Sequence, residues 1–291
     1  SDVSTGQVQS RQCSAPNRPR GPTALCDTVP TAQIPIILPM ATPTFLPPSC
    51  SPSEVIARLQ QRGFAVLQPA DVAAWAGCTL PDLQALQSDW NDLPPDLYLK
   101  DGGRYRRRRH ASMTVQGSAV QQVPHRAHWQ PVEYNALHGG MERWFEPMRP
   151  QTLAAPAWNG VLRALARVCD AVFAAPAQAQ WFVEAHQFRI DTVDGIGRPT
   201  PEGAHRDGVD LVAVFLIERE GVKGGETRVF EAAAPAGERF TLTAPWSLLL
   251  LDDARMVHET TPIQPAAPGG HRDTLVIPYR RGGFQDSRAA W

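Results

Sequence analysis

The spacing of hydrophobic residues changes from helical to strand-like near residue 180. Before it, apolar positions recur at helical intervals, as in a helix predicted from Ser51 or Ser53 to Gly63 and another over 153–175. After it, short apolar runs alternate with glycine and proline turns, and the predicted strands cover 181–190, 211–217, 227–230, 239–242, 248–251 and 274–279. This order predicts a mainly β protein with α additions. Its core would be a double-stranded β-helix, or jelly roll, with helices mostly from the N-terminal half packed on it.

Residues 1–50 differ from the rest of the chain in composition. They are rich in proline, serine and threonine and show little periodicity. Because proline fixes φ and has no backbone N–H, neither a helix nor a central strand can run far there. We expect 1–50 to be a Pro-rich arm, flexible or draped over the surface, and 51–291 to be a single jelly-roll domain.

Composition and charge exclude several classes of function. With 291 residues, 43% of them hydrophobic, the chain can bury a full-sized core, and its net charge of −1 gives no reason to expect nucleic acid as a partner. No apolar stretch approaches the roughly 20 residues of a membrane span. The five cysteines are odd in number and form no Cys-x-x-Cys pair, which favours a reducing compartment. We therefore expect a cytoplasmic protein that acts on a small molecule.

The basic run Arg104–Arg109 leaves two interpretations open. Such runs occur in nucleic-acid-binding proteins. As a strand, however, it would send Arg104, Arg106 and Arg108 to one face and the alternate side chains to the other. One set could then line a pocket and bind a carboxylate, or the whole strand could be solvated.

The strongest chemical pattern is a histidine and an aspartate one residue apart, followed by a distant second histidine. His205 and Asp207 precede the apolar run 211–217, and His258 is expected at the end of the buried strand that the apolar run 248–251 predicts. Two imidazoles and one carboxylate on one face leave three coordination positions of a metal ion open, which is the arrangement of non-haem Fe(II) oxygenases. We expect these three residues to be metal ligands.

An arginine follows on the next predicted strand. Arg272 lies fourteen residues after His258, and Thr274 is two residues further on, so both side chains point to one face. Arginine binds a carboxylate through two parallel hydrogen bonds, which lysine cannot do. The order His-x-Asp, His, Arg matches the jelly-roll dioxygenases that use Fe(II) and 2-oxoglutarate. In that pattern Arg272 and Thr274 would bind the distal carboxylate of 2-oxoglutarate.

Several further stretches carry a closer resemblance. They are Arg104–Arg108, Tyr134-Asn135 with Gly139-Gly140, Glu184–Arg189, His205–Gly208, Gly224–Thr227 and Val257–Pro262. On these stretches, the chain resembles the bacterial 2OG-Fe dioxygenase family that includes the L-isoleucine hydroxylases. The resemblance covers roughly 52–283, and it is most specific where His205–Gly208 combines with the downstream His258 and Arg272.

The resemblance implies a hydroxylase with Fe(II) as cofactor and 2-oxoglutarate and O2 as co-substrates. Such an enzyme releases succinate and CO2 while it hydroxylates an unactivated C–H bond, commonly in a free amino acid or a small derivative of one. An amino-acid substrate needs a cation for its carboxylate. Arg189, on the strand before the metal loop, is the first candidate and Arg106 or Arg108 the second. His186 or Asp191 is expected to shape the same pocket.

Three alternatives stay open from sequence alone. A 2-oxoglutarate oxygenase could instead act on a natural-product or cyclic dipeptide intermediate. A jelly-roll metal protein without oxygenase activity, such as an isomerase or sensor, would share the metal ligands but would not need Arg272. A zinc hydrolase could use two histidines and an aspartate, with Glu226 or Glu259 as a general base.

Overall fold

Strands dominate the C-terminal part of the protein. The structure is a computed structural model, in which residues 45–176, 178–234 and 236–287 are described. Over these ranges the strands are β1 (Phe64–Leu67), β2 (Arg106–Gln116), β3 (Ala119–Gln122), β4 (Gln180–Asp191), β5 (Leu211–Glu220), β6 (Val222–Gly224), β7 (Thr227–Glu231), β8 (Gly237–Phe240), β9 (Leu248–Asp252), β10 (Met256–Thr260), β11 (Ile263–Pro265) and β12 (His271–Arg280).

Two antiparallel sheets organise these strands. The large sheet has seven strands over the described ranges, in the order β1-β9-β5-β12-β4-β2-β3. The small sheet has the order β10-β7-β8, and β11 pairs with β6 at a separate edge. A large and a small antiparallel sheet packed face to face form a jelly roll, so the predicted fold class is confirmed.

The described helices all precede β4. They are a 3-10 helix (Pro52–Glu54), α1 (Val55–Arg62), α2 (Pro69–Ala76), α3 (Leu80–Gln84), a second 3-10 helix (Gln87–Asp92), α4 (Pro150–Ala154) and α5 (Pro156–Val172). Leu59 of α1, Val72 of α2 and Leu162 of α5 belong to one buried cluster with the outer face of the large sheet. Within the described residues, no helix is long and apolar enough to cross a membrane.

The unbroken apolar run of β9 reflects burial on both faces of the large sheet. Leu248 and Leu250 belong to the cluster under the helices, whereas Leu249 and Leu251 belong to a second cluster with residues of the small sheet. Successive side chains of a strand point to opposite faces. A central strand covered on both sides therefore needs apolar residues at every position.

The predicted helix over 153–175 is divided in the structure. Ala155 has an extended backbone, with φ −64° and ψ 135°, and separates α4 from α5. The cause is Pro156, since the proline ring disfavours helical geometry at the residue before it and provides no N–H. The same residue suits the first turn of α5, where no donor is needed.

The first described residues already contact the large sheet. Cys50 is buried, and its backbone N–H donates to the carbonyl of Val66 on β1 at 2.9 Å. Ser51 and Glu54 then form a reciprocal capping box at the first 3-10 helix. Residues 45–50 thus pack on the domain, whereas most of the predicted Pro-rich arm lies outside the described residues.

We expect Leu250→Ala to lower the free energy of unfolding by about 2–5 kcal/mol, because it leaves a cavity in a close-packed core. Leu250 is fully buried between the sheet and the helices. Leu97→Ala is the matched control, since Leu97 is 87% exposed, and it should change stability little. Denaturant unfolding of both variants measures the difference. Equal stabilities would contradict the packing described here.

Candidate active site

A cavity of about 130 Å³ opens on the inner face of the large sheet. Its walls come from β2, β4 and β12 of that sheet, from β10 of the small sheet, and from loops around residues 128–143 and 199–209. Apolar and charged side chains share the lining. This composition is typical of a site that orients a small polar molecule against a hydrophobic wall.

Strand register arranges the sheet side of the cavity in three rows across β2, β4 and β12. The rows are Arg106, Ile190 and Arg272, then Arg108, Phe188 and Thr274, then His110, His186 and Val276. Neighbouring rows are two residues apart along each strand, or about 7 Å. The cavity floor therefore extends about 13 Å from the Arg272 row to the Val276 row.

His205, Asp207 and His258 converge at the opposite side of the cavity. One ligand atom from each lies within 4.8 Å of the others. His205 Nε2 is 3.7 Å from Asp207 Oδ1, and the imidazole rings of His205 and His258 have centroids 4.6 Å apart. The convergence depends on the backbone, because each histidine N–H donates to the other's carbonyl, at 3.1 and 3.0 Å.

The position of His258 differs from the expected one. It does not end the strand that contains 248–251 but lies in the middle of β10, a separate strand of the small sheet. A tight turn between β9 and β10, with Arg255 N–H donating to the Asp252 carbonyl, redirects the chain. The ligands are therefore brought together by contact between a loop and the small sheet, not by two strand ends of one sheet.

Asp253 fixes the loop that carries Asp207. Its carboxylate accepts backbone N–H groups from Asp207, Gly208 and Val209 at 2.9, 2.7 and 3.0 Å. Gly208 has φ +75°, and a Cβ there would overlap the ring of Tyr134, so only glycine fits. These contacts orient Asp207 towards the two imidazoles.

The ring nitrogens of both histidines suit coordination of a cation. His205 Nδ1 donates to the carbonyl of Gly203 at 2.9 Å, which leaves Nε2 as the lone-pair atom facing Asp207. Burial acts to lower the pKa of His205, but the carboxylates of Asp207 and Glu202 outweigh it and raise the pKa. Burial lowers the pKa of His258 to about 4, so that imidazole is neutral.

Arg272 is a buried cation that the protein does not neutralise. Among the described residues it forms no ion pair and no side-chain hydrogen bond, and its Nε is buried without a partner. Burial lowers its pKa to about 10, so it remains charged at neutral pH. An unpaired buried guanidinium is costly, and an anionic ligand would remove that cost.

Thr274 lies beside Arg272 on the cavity side of β12. Two-residue spacing places both side chains on one face, as the sequence analysis expected. The backbone carbonyl of Thr274 accepts a hydrogen bond from the indole of Trp90 at 3.1 Å, which anchors this part of the strand.

Gln130 links the aspartate to the opposite wall. Its Nε2 donates to Asp207 Oδ1 at 3.2 Å, and its Oε1 accepts from Arg143 at 2.9 Å and from Asn135 at 3.2 Å. Since arginine can only donate, the amide orientation of Gln130 is fixed. No spacing pattern in the sequence points to Gln130, because its contact with Asp207 depends on how the long loop before α4 folds over the cavity.

Arg106 and Arg108 both line the cavity, on the face that alternation assigns to them. Arg106 Nε is 2.7 Å from Asp96 Oδ2, and Arg108 lies 3.7 Å from the same carboxylate. One carboxylate therefore serves two guanidinium groups. Buried nitrogens of both arginines, Nη2 of Arg106 and Nε of Arg108, have no partner among the described residues. Arg104, by contrast, is exposed and pairs with Asp194.

The structure does not bring Arg189 into the cavity. It lies on the opposite face of β4 and binds both carboxylate oxygens of Asp273, at 2.8 and 2.6 Å. Asp273 is its direct partner across the β4–β12 pair. His186 and Arg189 are three residues apart and cannot share a strand face. We therefore assign Arg189 a structural ion pair and no substrate contact.

A second group of histidines surrounds Glu184, and two of them, His128 and His186, line the same cavity. Glu184 accepts hydrogen bonds from His110 Nε2 and His128 Nδ1, both at 3.1 Å, while His186 Nδ1 is 2.7 Å from Arg108. Burial acts to raise the pKa of Glu184, but the imidazoles of His128 and His110 outweigh it and hold the pKa far below the usual range. Glu184 is therefore an ionised carboxylate inside the protein.

Sequence reasoning found part of this group. His186 was expected near the substrate, whereas His110, His128 and Glu184 were not selected. Alternation along β4 places Glu184 on the same face as His186, so the two-residue spacing in the sequence is a signal for Glu184 as well. The partners on β2 and the following loop could not be chosen, because strand pairing sets them.

Comparisons with known proteins indicate a family for this chain. A family model described as 2OG-Fe dioxygenase matches residues 87–278. Among solved structures, the chain is 50% identical to a bsmA homologue from Methylobium petroleophilum PM1, with a TM-score of 0.78 and coverage of 83% of this chain and 98% of that one. A search of curated proteins gave no match.

Two more distant solved structures share the fold. IDO from Bacillus thuringiensis is 16% identical, with a TM-score of 0.65 and coverage of 81% of this chain and 97% of that one. TqaL, described as an Fe(II)/(alpha)ketoglutarate-dependent dioxygenase, is 18% identical, with a TM-score of 0.60 and coverage of 79% and 86%.

The jelly roll and the family match define an oxidoreductase of the 2-oxoglutarate-dependent oxygenase class. The chain belongs to the 2OG-Fe dioxygenase family, whose members use Fe(II), 2-oxoglutarate and O2. The cofactors that the resemblance implied are thereby confirmed at the level of the family.

We expect Glu184→Gln to lower the free energy of unfolding at neutral pH by about 1–3 kcal/mol. The neutral amide has one acceptor oxygen in place of two, so it cannot accept from both imidazoles as the carboxylate does. Glu133→Gln, at an exposed position, is the control. The depressed pKa of Glu184 predicts a pH dependence with a defined sign. Its contribution is complete above the ordinary value of 4.5 and is lost as the pH falls further. The stability gap between wild type and variant should therefore narrow below that value. A gap that widened on acidification would contradict the ionised carboxylate.

Proposed function

We propose that the protein is an Fe(II)- and 2-oxoglutarate-dependent hydroxylase that acts on a free amino acid or a small amino-acid derivative. The observation that carries the proposal is the combination, in one cavity, of the His205–Asp207–His258 group with the unpaired buried cation Arg272. A metal site alone would suit other reactions. A metal site beside an unpaired arginine suits a 2-oxo acid that chelates the metal and has a second carboxylate for the arginine.

The donor set supports Fe(II) as the metal. Two neutral nitrogen donors and one carboxylate oxygen leave room for a bidentate ligand and O2. His205, Asp207 and His258 would hold the ion, and the bound metal would supply the activation of O2 that protein side chains cannot. Gln130, which donates to Asp207 Oδ1, and the Gly203 carbonyl, which accepts from His205 Nδ1, would orient two of these ligands.

Arg272 and Thr274 would bind the distal carboxylate of 2-oxoglutarate. Both face the cavity, and the guanidinium has unused donors in a buried setting. Bidentate pairing would compensate the desolvated charge and fix the co-substrate's direction. The alternative hypotheses of an isomerase, a sensor or a zinc hydrolase give this arginine no role. Glu226 and Glu259, the general bases that a hydrolase would need, instead share an ion pair with Arg228.

Charge balance supports a substrate without net charge. The cavity is lined by Arg106, Arg108, Arg143 and Arg272, and these are opposed by Glu184, Glu202, Asp207 and the Asp96 carboxylate behind the wall. Also behind the wall, Arg126 contacts Glu184 and pairs with Asp286, which leaves the balance unchanged. Fe(II) and doubly charged 2-oxoglutarate would also cancel. A zwitterionic amino acid adds no net charge. Its carboxylate can pair with an arginine of the cavity and its ammonium group with a carboxylate. Arg106 and Arg108 are the candidates for its carboxylate.

The cavity's apolar residues support an aliphatic side chain on that substrate. Phe188, Val214 and Val276 all line the cavity. The test is succinate release with Fe(II), 2-oxoglutarate and ascorbate across a panel of free amino acids and simple derivatives. Stimulation by one of them supports the proposal. Metal-dependent succinate release that no amino acid stimulates would instead favour a tailored natural-product or cyclic dipeptide substrate, and no release at all would refute the oxygenase.

We expect Arg272→Met to weaken 2-oxoglutarate binding roughly tenfold to a hundredfold, through loss of charge-assisted hydrogen bonds. The dissociation constant is measured in metal-loaded protein under exclusion of oxygen. Arg167→Met is the control, because Arg167 is exposed on α5 and donates to the Trp75 carbonyl. Unchanged 2-oxoglutarate affinity in Arg272→Met would refute the assignment.

We expect Gln130→Met to weaken Fe(II) or Co(II) binding roughly tenfold, because the hydrogen bond that orients Asp207 is lost. Equilibrium dialysis measures the metal affinity, so the readout does not depend on activity. Gln122→Met, at an exposed position of β3, should bind metal like the wild type. Equal affinities for the two variants would show that Gln130 does not act on the metal site.

A further inference from the structure

The histidine group around Glu184 has a defined hydrogen-bond polarity. Glu184 is ionised and can only accept, so His128 Nδ1 and His110 Nε2 must both be donors towards it. Arg108 can only donate, so His186 Nδ1 must be the acceptor of their 2.7 Å contact. Each neutral imidazole has one donor and one acceptor nitrogen. The free nitrogens are thereby fixed as an acceptor on His128 and a donor on His186.

These two free nitrogens face the cavity. His128 and His186 both line it, with ring centroids 4.6 Å apart. Among the described residues, neither Nε2 atom has a hydrogen-bond partner, and neither atom is fully buried. The wall therefore presents an acceptor and a donor side by side, and neither can reverse without breaking a buried charge-assisted bond.

The charges behind this pair have opposite signs. Behind His128 lies the carboxylate of Glu184, and behind His186 lies the guanidinium of Arg108, stacked between the rings of Phe145 and Phe188 at 3.7 and 4.3 Å. A donor that bears positive charge is favoured at His128, because the Glu184 carboxylate on Nδ1 makes Nε2 a stronger acceptor. An acceptor that bears negative charge is favoured at His186, because Arg108 on Nδ1 makes the Nε2–H group a stronger donor.

We propose that His128 and His186 form a head-group subsite of fixed polarity for an amino acid, with the ammonium on His128 Nε2 and the carboxylate on His186 Nε2. This deepens the proposed function and rests on it for the identity of the ligand. The His186 row lies about 13 Å along the floor from the Arg272 row, which separates the head-group position from the position proposed for 2-oxoglutarate.

A second metal centre is the competing use of these residues. His110, His128, Glu184 and His186 have ligand atoms within 4.8 Å of one another. The guanidinium groups of Arg108 and Arg126 contact two of these four ligands, at 2.7 and 3.3 Å, so a cation would lie beside two fixed positive charges. This repulsion favours a hydrogen-bonding subsite over a second metal ion.

The tautomers provide a test that needs no ligand. Nitrogen NMR of the 15N-histidine-labelled protein should show His128 protonated at Nδ1 and His186 protonated at Nε2 at neutral pH. The opposite tautomer at either residue would overturn the subsite. Binding of Co(II) should saturate at one equivalent per chain. A second equivalent that disappears in His128→Phe would overturn it in favour of a metal centre.

Ligand binding tests the head-group assignment. L-valine, L-leucine and L-isoleucine are each compared with the carboxylic acid that lacks the amine, in Fe(II)-loaded protein with 2-oxoglutarate and without oxygen. The amino acids that bind should do so at least tenfold more tightly than their amine-free partners, and His128→Phe should abolish the difference. His125→Phe is the matched control, because His125 bonds the Phe145 carbonyl outside the cavity lining.

Each outcome of the binding test decides the proposal. Equal affinities in the wild type, a preference that survives in His128→Phe, or no binding of any amino acid would overturn the ammonium assignment. Failure of the proposed function is separate, because it would appear as absent metal-dependent succinate release. An amine preference without succinate release would keep the subsite and reject the oxygenase.

Discussion

The cavity depends on two backbone hydrogen bonds between His205 and His258, at 3.1 and 3.0 Å. They join the loop before β5 to the small sheet and bring two imidazoles from distant parts of the sequence into contact. Asp253 holds the rest of that loop through three backbone N–H groups, and so directs Asp207 to the same place. Because backbone and buried carboxylate fix the geometry, the ligands are preorganised before any ion binds.

A second constraint is the burial of charge on one face of the large sheet. Alternation forces Arg106, Arg108, Glu184 and Arg272 towards the cavity while apolar residues of the same strands pack under the helices. Asp96 pairs with Arg106 and Arg108, and His110 and His128 donate to Glu184, but Arg272 has no partner among the described residues. The uncompensated cation and the polarised histidine pair thus mark the two ends of the floor, which we assign to co-substrate and substrate.

Features that depend on local sequence could be predicted, whereas those that depend on tertiary pairing could not. The His-x-Asp pair, the two-residue spacing of Arg272 and Thr274, and the jelly roll follow from alternation and the order of the strands. The placement of His258 on β10 required the turn after β9, and Gln130 required the fold of a long loop. Arg189 has the charge that a carboxylate needs and lies on the strand before the metal loop, but its spacing from His186 places it on the other face of β4.

The central claim is that the metal group and Arg272 form one binding site. Titration of 2-oxoglutarate into the wild-type protein, with and without Fe(II) and under exclusion of oxygen, tests it most directly. If both groups hold the same molecule, Fe(II) should tighten 2-oxoglutarate binding, and by linkage 2-oxoglutarate should tighten Fe(II) binding by the same factor. Affinities for 2-oxoglutarate that are equal with and without the metal would contradict the account.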